Sequence, residues 1–511
     1  MRTLSVRVLC ILCLEVCPPG CAGRDGTGKD SSGADIGDLV PDVPPEAAGP
    51  GDLAAWELVD TTAADLADAT TADAADLATA DLADATMMEV AGDNGVDIAP
   101  DVLADESSPP SEGPCFVSQL TWAGQADEEP LGWHPVVAAL PSGRFLVAWT
   151  VSNMQGVPPN ESGVRAAVFG KDGVALSDPG WVSAMPPIGV PVPNGAKNRV
   201  LVAPAGEDRF LVVWLEFRKG QQLLLSRFVG EDGSLLGEGE TTMTVRETSV
   251  LPTGLAFRGD RKVLAWSEDE EAIFVQEVSA EGGLSGIPTR VDDPSQAADG
   301  EICTKQMAAA DIFPDGSLYV VWAQWCGPAD TACPWRHISG RWLDAELNAV
   351  GPVSTAIENN SKSQFLDLTW PQVVAFPDGF AAVVAIGPLV VVGNWVGNSG
   401  ESGTPHLFSN DNEGPSAVTA MRLDNSTGLV LWDSMGGPLG GRMVAPPLEF
   451  VGPKFGIAQQ EAEGSMTGTG PVTAAALDSD LFVVTYSYFP LDEPLQEEIR
   501  GKIFSRKCPV E

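Results

Sequence analysis

The feature that most constrains this chain is a hairpin pattern that returns seven times. An apolar alternating run, a tight turn rich in Gly, Asp or Ser, and a second apolar run ending in a large side chain make up each copy. The copies are PVVAALPSGRFLVAW (135–149), RVLVAPAGEDRFLVVW (199–214), PTGLAFRGDRKVLAW (252–266), QMAAADIFPDGSLYVVW (306–322), PQVVAFPDGFAAVVAI (371–386), PSAVTAMRLDNSTGLVLW (415–432) and PVTAAALDSDLFVVTY (471–486). Five end in tryptophan: Trp149, Trp214, Trp266, Trp322 and Trp432. Ile386 and Tyr486 stand in that place in the other two. Alternation with period two marks strands with one face buried, and Pro-Ser-Gly or Pro-Asp-Gly between two such runs reverses the chain. A repeat of about 56 residues demands an architecture in which each unit covers the next.

After each hairpin most copies offer a third strand, another tight turn and a fourth strand. In the first copy these are 163–169, Gly170-Lys171-Asp172-Gly173 and 181–185. In the second they are 223–229 and the turn Glu231-Asp232-Gly233, and in the third 273–278 and Glu281-Gly282-Gly283. The pattern weakens in the fifth and sixth copies, where Pro446-Pro447 is expected to interrupt the sixth copy's third strand. Four antiparallel strands per copy are one blade, so residues 115–511 are predicted to form an all-β, seven-bladed β-propeller. The recurring aromatic then belongs between blades, where burial removes about 150–250 Å² per ring from water.

Closure of the ring is expected from the two ends of this region. The seventh copy has a third strand at 499–505 and no fourth after it. The stretch 116–122 (FVSQLTW) has no hairpin before it and resembles the fourth strand of the first copy. An N-terminal strand completing the last blade would close the ring, and Cys115 and Cys508, which flank these segments, are expected to form a disulfide. Cys303, Cys326 and Cys333 belong to the fourth copy. Cys303–Cys326 across its hairpin is the favoured pairing, with Cys326–Cys333 as the rival. Cys-x6-Cys is not a usual zinc spacing, so no metal or other cofactor is expected.

The N-terminal segments differ in kind. Arg2 and Arg7 precede the apolar run 8–14, followed by Pro-Pro-Gly-Cys at 18–21. A basic start, short apolar core and small-residue exit read as an export signal over 1–23. The segment resembles a bacterial lipoprotein signal, which implies lipidation of Cys21. Pro18 departs from that pattern, and ordinary cleavage with free secretion is the alternative. Residues 24–114 read as a disordered, Ala/Asp-rich acidic linker. From 25 to 114 there are 22 acidic residues and one basic, Lys29, with ADLADAT at 64–70 and again at 80–86. Such a segment repels itself and has little apolar surface to offset ordering. The net charge of −42 argues against a nucleic-acid partner and against charge-driven docking on anionic lipid. Membrane contact is expected only through an N-terminal lipid anchor, and the protein is expected to be a monomer.

Chemistry-bearing motifs are scarce. The three histidines, His134, His337 and His406, fall in no metal spacing, and no G-x-S-x-G or P-loop pattern occurs. Function is therefore expected on the propeller face that carries the long links, such as 151–162, 186–198, 323–337, 387–405 and 487–498. Trp325, Trp335, Trp370 and Trp395 are the candidate binding aromatics there. Residues 130–505 resemble the repeat-built β-propellers of exported bacterial surface proteins, whose blades carry an LPDGGFVVVW-like hairpin. The nearest matches are LPSGRFLVAW (140–149) and FPDGSLYVVW (313–322). The resemblance implies a fold and an extracytoplasmic setting, and no functional residue. Expected function is non-enzymatic binding of a protein or polysaccharide. The alternative is an extracytoplasmic hydrolase or lyase acting on polysaccharide, with carboxylates near the central channel.

Overall fold

The computed structural model describes residues 113–508 apart from 123–131, 152–162, 184–198, 219–220, 247–249, 295–300, 329–334, 359–367, 388–389, 410–414, 435–438, 459–465, 468–471 and 490–497. The expected signal with Cys21, the linker as far as residue 112, and Cys333 lie outside the described residues.

The named elements are all strands. The first is β1 (Cys115–Gln119). Blade one follows as β2 (Trp133–Ala139), β3 (Phe145–Val151), β4 (Gly163–Phe169) and β5 (Gly180–Trp181). Blade two is β6 (Val200–Pro204), β7 (Arg209–Arg218), β8 (Gln221–Gly230) and β9 (Leu235–Arg246). Blade three is β10 (Val250–Arg258), β11 (Arg261–Glu268), β12 (Ala272–Val278) and β13 (Leu284–Arg290). Blade four is β14 (Glu301–Ile312), β15 (Leu318–Pro328), β16 (Trp335–Leu343) and β17 (Ala349–Ile357). Blade five is β18 (Thr369–Ala375), β19 (Phe380–Ile386), β20 (Val391–Gly397) and β21 (His406–Leu407). Blade six is β22 (Pro415–Arg422), β23 (Gly428–Ser434), β24 (Leu439–Ala445) and β25 (Glu449–Ala458). Blade seven joins β26 (Met466–Thr467), β27 (Thr473–Ala476), β28 (Leu481–Phe489) and β29 (Glu498–Ser505) to β1.

Each blade is an antiparallel meander, and the first strands of the hairpins touch in order around a closed circle: β2, β6, β10, β14, β18, β22, β27 and back to β2. All seven run the same way along the axis. Their starts define the upper face, and their ends, at the hairpin turns, the lower. The turns are built as their sequences require. Gly143 N–H closes on Leu140 O at 2.9 Å, with Gly143 at φ 80°, a conformation that costs a side-chain-bearing residue more.

The interior divides into seven apolar clusters, one between each pair of neighbouring blades. Trp149, Trp214, Trp322 and Trp432 are almost wholly buried, and each faces the preceding blade, as do Trp266 and Tyr486. The fifth copy corrects the sequence reading. Counted from its turn glycine, Gly379, the position of the aromatic is Ala385, which faces blade four, while Ile386 points the other way toward blade six. A one-residue step reverses the side of a strand. Ala381 and Ala385 face a cluster to which blade four contributes Tyr319, Trp342 and Phe313, the Trp342 ring lying 4.7 Å from that of Tyr319 and 4.8 Å from that of Phe313.

The chain's two extremities share the last blade. β1 pairs with β29 in the order β1-β29-β28, and Leu120 N–H continues the ladder to Gly501 O at 3.0 Å. Thr121 then bridges to Val174 in blade one, and the Trp122 ring meets Trp149 and Phe169 edge-on at 5.4 and 4.9 Å. Disulfides join Cys115 to Cys508 and Cys303 to Cys326. Three boundaries differ from expectation. Pro446-Pro447 sits in the turn after β24 and leaves the third strand whole. The stretch 387–405 holds β20 rather than a long link, and 323–337 is largely the ends of β15 and β16.

Candidate functional site at the axial channel

The first strands surround a channel of about 320 Å³ lined mainly by Val and Ala, with Gln372, Thr419, Thr473, Asp311 and Arg422 as polar exceptions. Small side chains follow from geometry, since seven strands converge there and only compact residues fit without closing the space. The two mouths differ.

At the upper mouth the first strands are bulged. Register slips occur at Trp133/Val136 in β2, Pro252/Gly254 in β10, Gln306/Ala309 in β14, Thr369/Gln372 in β18 and Pro415/Ala417 in β22. A bulge places an extra residue against the partner strand and re-aims its side chain. Three bulged residues are held left-handed: His134 at φ 54°, Met307 at φ 59° and Trp370 at φ 51°. Left-handed backbone at a non-glycine residue costs roughly 1–3 kcal/mol and gathers at functional sites.

These positions are equivalent around the ring. Leu140, Ala205, Phe313 and Phe376 each close a hairpin turn through their N–H at 2.8 Å. Six residues before each stand His134, Arg199, Met307 and Trp370. Blades one, two, four and five thus place these residues at equivalent positions by the mouth. Arg199 and Trp370 come from nearly opposite blades and meet over the axis, the guanidinium carbon 4.6 Å from the ring centroid. Trp370 keeps 38% of its surface exposed, and its N–H points at Met307 Sδ, 3.4 Å away. Burial lowers the Arg199 guanidinium to about 10, so it stays charged at neutral pH.

Beside this mouth Asp292 is buried beneath Lys305 (2.6 Å) and Arg290 (2.9 Å) and accepts from Ile273 N–H at 2.9 Å. Burial pushes its carboxyl up, but these three donors together outweigh it and hold it below the ordinary range. The acidic turn between β11 and β12 joins the same corner, with Glu270 O accepting from Lys305 N–H at 2.6 Å.

The lower mouth carries Arg258, Asp311 and Arg422 at the ends of β10, β14 and β22. Asp311 accepts from Ile312 and Ala375 N–H, both at 2.8 Å. Arg258 donates to Ile312 O and Arg422 to Ala375 O, each at 3.1 Å. Burial lifts the Asp311 carboxyl above its usual range despite the opposing pull of Arg422, the two N–H groups and Arg258. Burial, then the charge of Arg422, holds Arg258 below its usual value, against Asp311 and Asp315. The bonds from Arg258 to Ile312, from Ala375 to Asp311 and from Arg422 to Ala375 run from blade to blade, so they tie blades three to six together at the axis.

Of the four candidate tryptophans, Trp370 stands at the upper mouth. Trp325 is partly buried near the upper end of β15, beside the Cys303–Cys326 disulfide, and Trp335 opens β16 opposite Cys326. Trp395 does not belong to the upper face. It packs edge-on against Phe380 at 5.3 Å and onto the cluster between blades five and six, near the lower turn where Gly403 N–H donates to its carbonyl. The sequence reading missed Arg199, His134 and Met307. Aligning the copies on their turns would have shown them at the position of Trp370. Among the described residues no group of three or more His, Cys, Asp or Glu is placed to hold a metal ion.

No family model and no curated protein matches the chain. Solved structures similar to it include a protein of unknown function from Dyadobacter fermentans (13% identity, TM-score 0.46, 77% of this chain and 100% of that one). Others are the BP39L lectin from Burkholderia pseudomallei (13%, 0.45, 73% and 96%) and a polysaccharide lyase, PL25 ulvan lyase (8%, 0.45, 76% and 96%). At such identities the functional argument rests on this chain's own residues.

Proposed function

We propose that the protein is a non-enzymatic, extracytoplasmic binding protein that takes a protein or polysaccharide at the upper face of its propeller. One observation carries this reading: Trp370 is left exposed at the channel mouth on a strained backbone, where a packing role would have buried it. Rigid strands position it, as a precise binding site requires. Two disulfides favour an oxidising compartment, and an export signal with a lipidated Cys21 and an acidic spacer would display the face away from a membrane. The test is a screen of the full chain against glycans and secreted proteins beside Trp370→Ala. Binding that falls at least tenfold in the variant, with thermal stability kept, supports the reading. Undiminished binding refutes it.

Asp311 favours a second reading, an enzyme acting on polysaccharide. Its carboxyl lines the channel and is raised by burial, the condition of a general acid. Release of soluble sugar by the full chain, abolished in folded Asp311→Asn, would decide for it.

A further inference from the structure

Arg199 is an arginine whose charge no described acid answers. Elsewhere the described arginines that make ion pairs do so with nearby acids: Arg144 with Glu231, Arg261 with Glu277, Arg290 with Asp292, Arg500 with Glu498 and Arg506 with Asp424. The chain holds 71 acidic residues to 29 basic, so a carboxylate partner would be easy to supply. Arg199 instead lies over the Trp370 ring, and among the described residues its guanidinium makes no hydrogen bond or ion pair. Its titration is shifted by burial, with no charged neighbour contributing. The guanidinium carbon lies over the indole, and its N–H donors are left without an acceptor among the described residues. Their planar fork matches a carboxylate with two parallel hydrogen bonds.

We propose that Arg199 and Trp370 form a receptor for a carboxylated saccharide. The carboxylate takes the open edge of the guanidinium, and the sugar ring lies against the part of the indole that Arg199 leaves exposed. The inference rests on the upper-face binding reading and names its ligand class. A flat exposed indole suits the C–H face of a pyranose, and the guanidinium has already lost part of its hydration, so a carboxylate there gains more than at an open surface. Met307, against the Trp370 backbone, closes one side. The protein's overall negative charge does not oppose this at contact range, since exposed charges are screened beyond about 8 Å at physiological salt.

The experiment is calorimetric titration of the full chain with polygalacturonate, alginate and hyaluronan, with the methyl ester of polygalacturonate and with dextran. At least one acidic polymer is expected to bind, and the acid form of polygalacturonate, where it binds, to do so about tenfold more tightly than its ester. Arg199→Gln should bring acid and ester within about twofold. Arg199→Lys, which keeps the charge without the fork, should retain part of the difference, and Trp370→Ala should weaken both forms alike. Binding of none of the three acidic polymers overturns the proposal, as does an unchanged preference for acid in Arg199→Gln. If acid and ester bind equally and Trp370→Ala abolishes both, the carboxylate assignment falls while the upper-face reading stands. If Trp370→Ala changes neither, both fall.

Discussion

Replacing Cys508 with serine opens the covalent clasp, and the structure sets the size of the effect. The bond joins residues 393 apart with a Cα–Cα distance of 5.4 Å. For a loop of that length the chain-entropy relation gives about 6 kcal/mol, an upper figure, because measured native disulfides contribute about 2–4 kcal/mol. The smaller range applies here. Without the bond, β1 keeps its pairing with β29, Leu120 its ladder contact and Trp122 its place against Trp149 and Phe169. Unfolding entropy near 2.1 cal/mol/K per residue gives roughly 0.6 kcal/mol/K for the roughly 300 described residues of the propeller. The expected fall in Tm is then about 3–6 °C. The assay is scanning calorimetry of wild type and Cys508→Ser, each with and without reductant. Reductant also opens Cys303–Cys326, so the decisive comparison is that both proteins melt together when reduced and apart when oxidised. Equal Tm values under oxidising conditions would refute the argument that this bond stabilises the closed ring.

Other consequences follow from the interior. Trp322→Ala should cost about 3–5 kcal/mol by chemical denaturation, because the ring is fully buried and its Nε1–H donates to Gln324 Oε1 at 3.0 Å. Ala385→Trp, although it restores the repeat's aromatic, should destabilise by at least about 1–3 kcal/mol, since Ala385 is fully buried in the cluster between blades four and five; a gain in stability would contradict the packing described. Asp292→Asn strands Lys305 in a buried position and should cost about 3–5 kcal/mol. The Asp292 carboxyl is depressed in the fold, so its contribution is complete above the ordinary aspartate range, near 3.9, and is lost as pH falls through the lower folded value. Acid unfolding followed by circular dichroism should therefore show a shallower pH dependence in Asp292→Asn.

The repeat, the blade count and the clasp were legible because each is written in local chemistry. Pro-Asp-Gly turns fix hairpins, alternation fixes faces, and a solitary strand at 116–122 answers a missing one after 505. Register was legible only where the copies agree. In the fifth copy the step from Ala385 to Ile386 was missed, because a large side chain at the end of a strand looks right on either face. The site was harder to see. Trp370 could be named as a candidate aromatic, but so could Trp395, which the sequence cannot distinguish from it and which packs against Phe380. Arg199 looked like the start of a strand. Spacing from the turns shows that it is equivalent to Trp370, but the meeting of the two arises from the convergence of nearly opposite blades, which one copy read by itself does not show.

Oxidative footprinting read by mass spectrometry tests the upper mouth most directly. The full chain is labelled alone and with a bound glycan or secreted protein, and the modification of Trp370 is compared with that of Phe116, which is 58% exposed on the outermost strand of blade seven. Protection of Trp370 with Phe116 unchanged is the predicted result; equal labelling of Trp370 with and without ligand would contradict it.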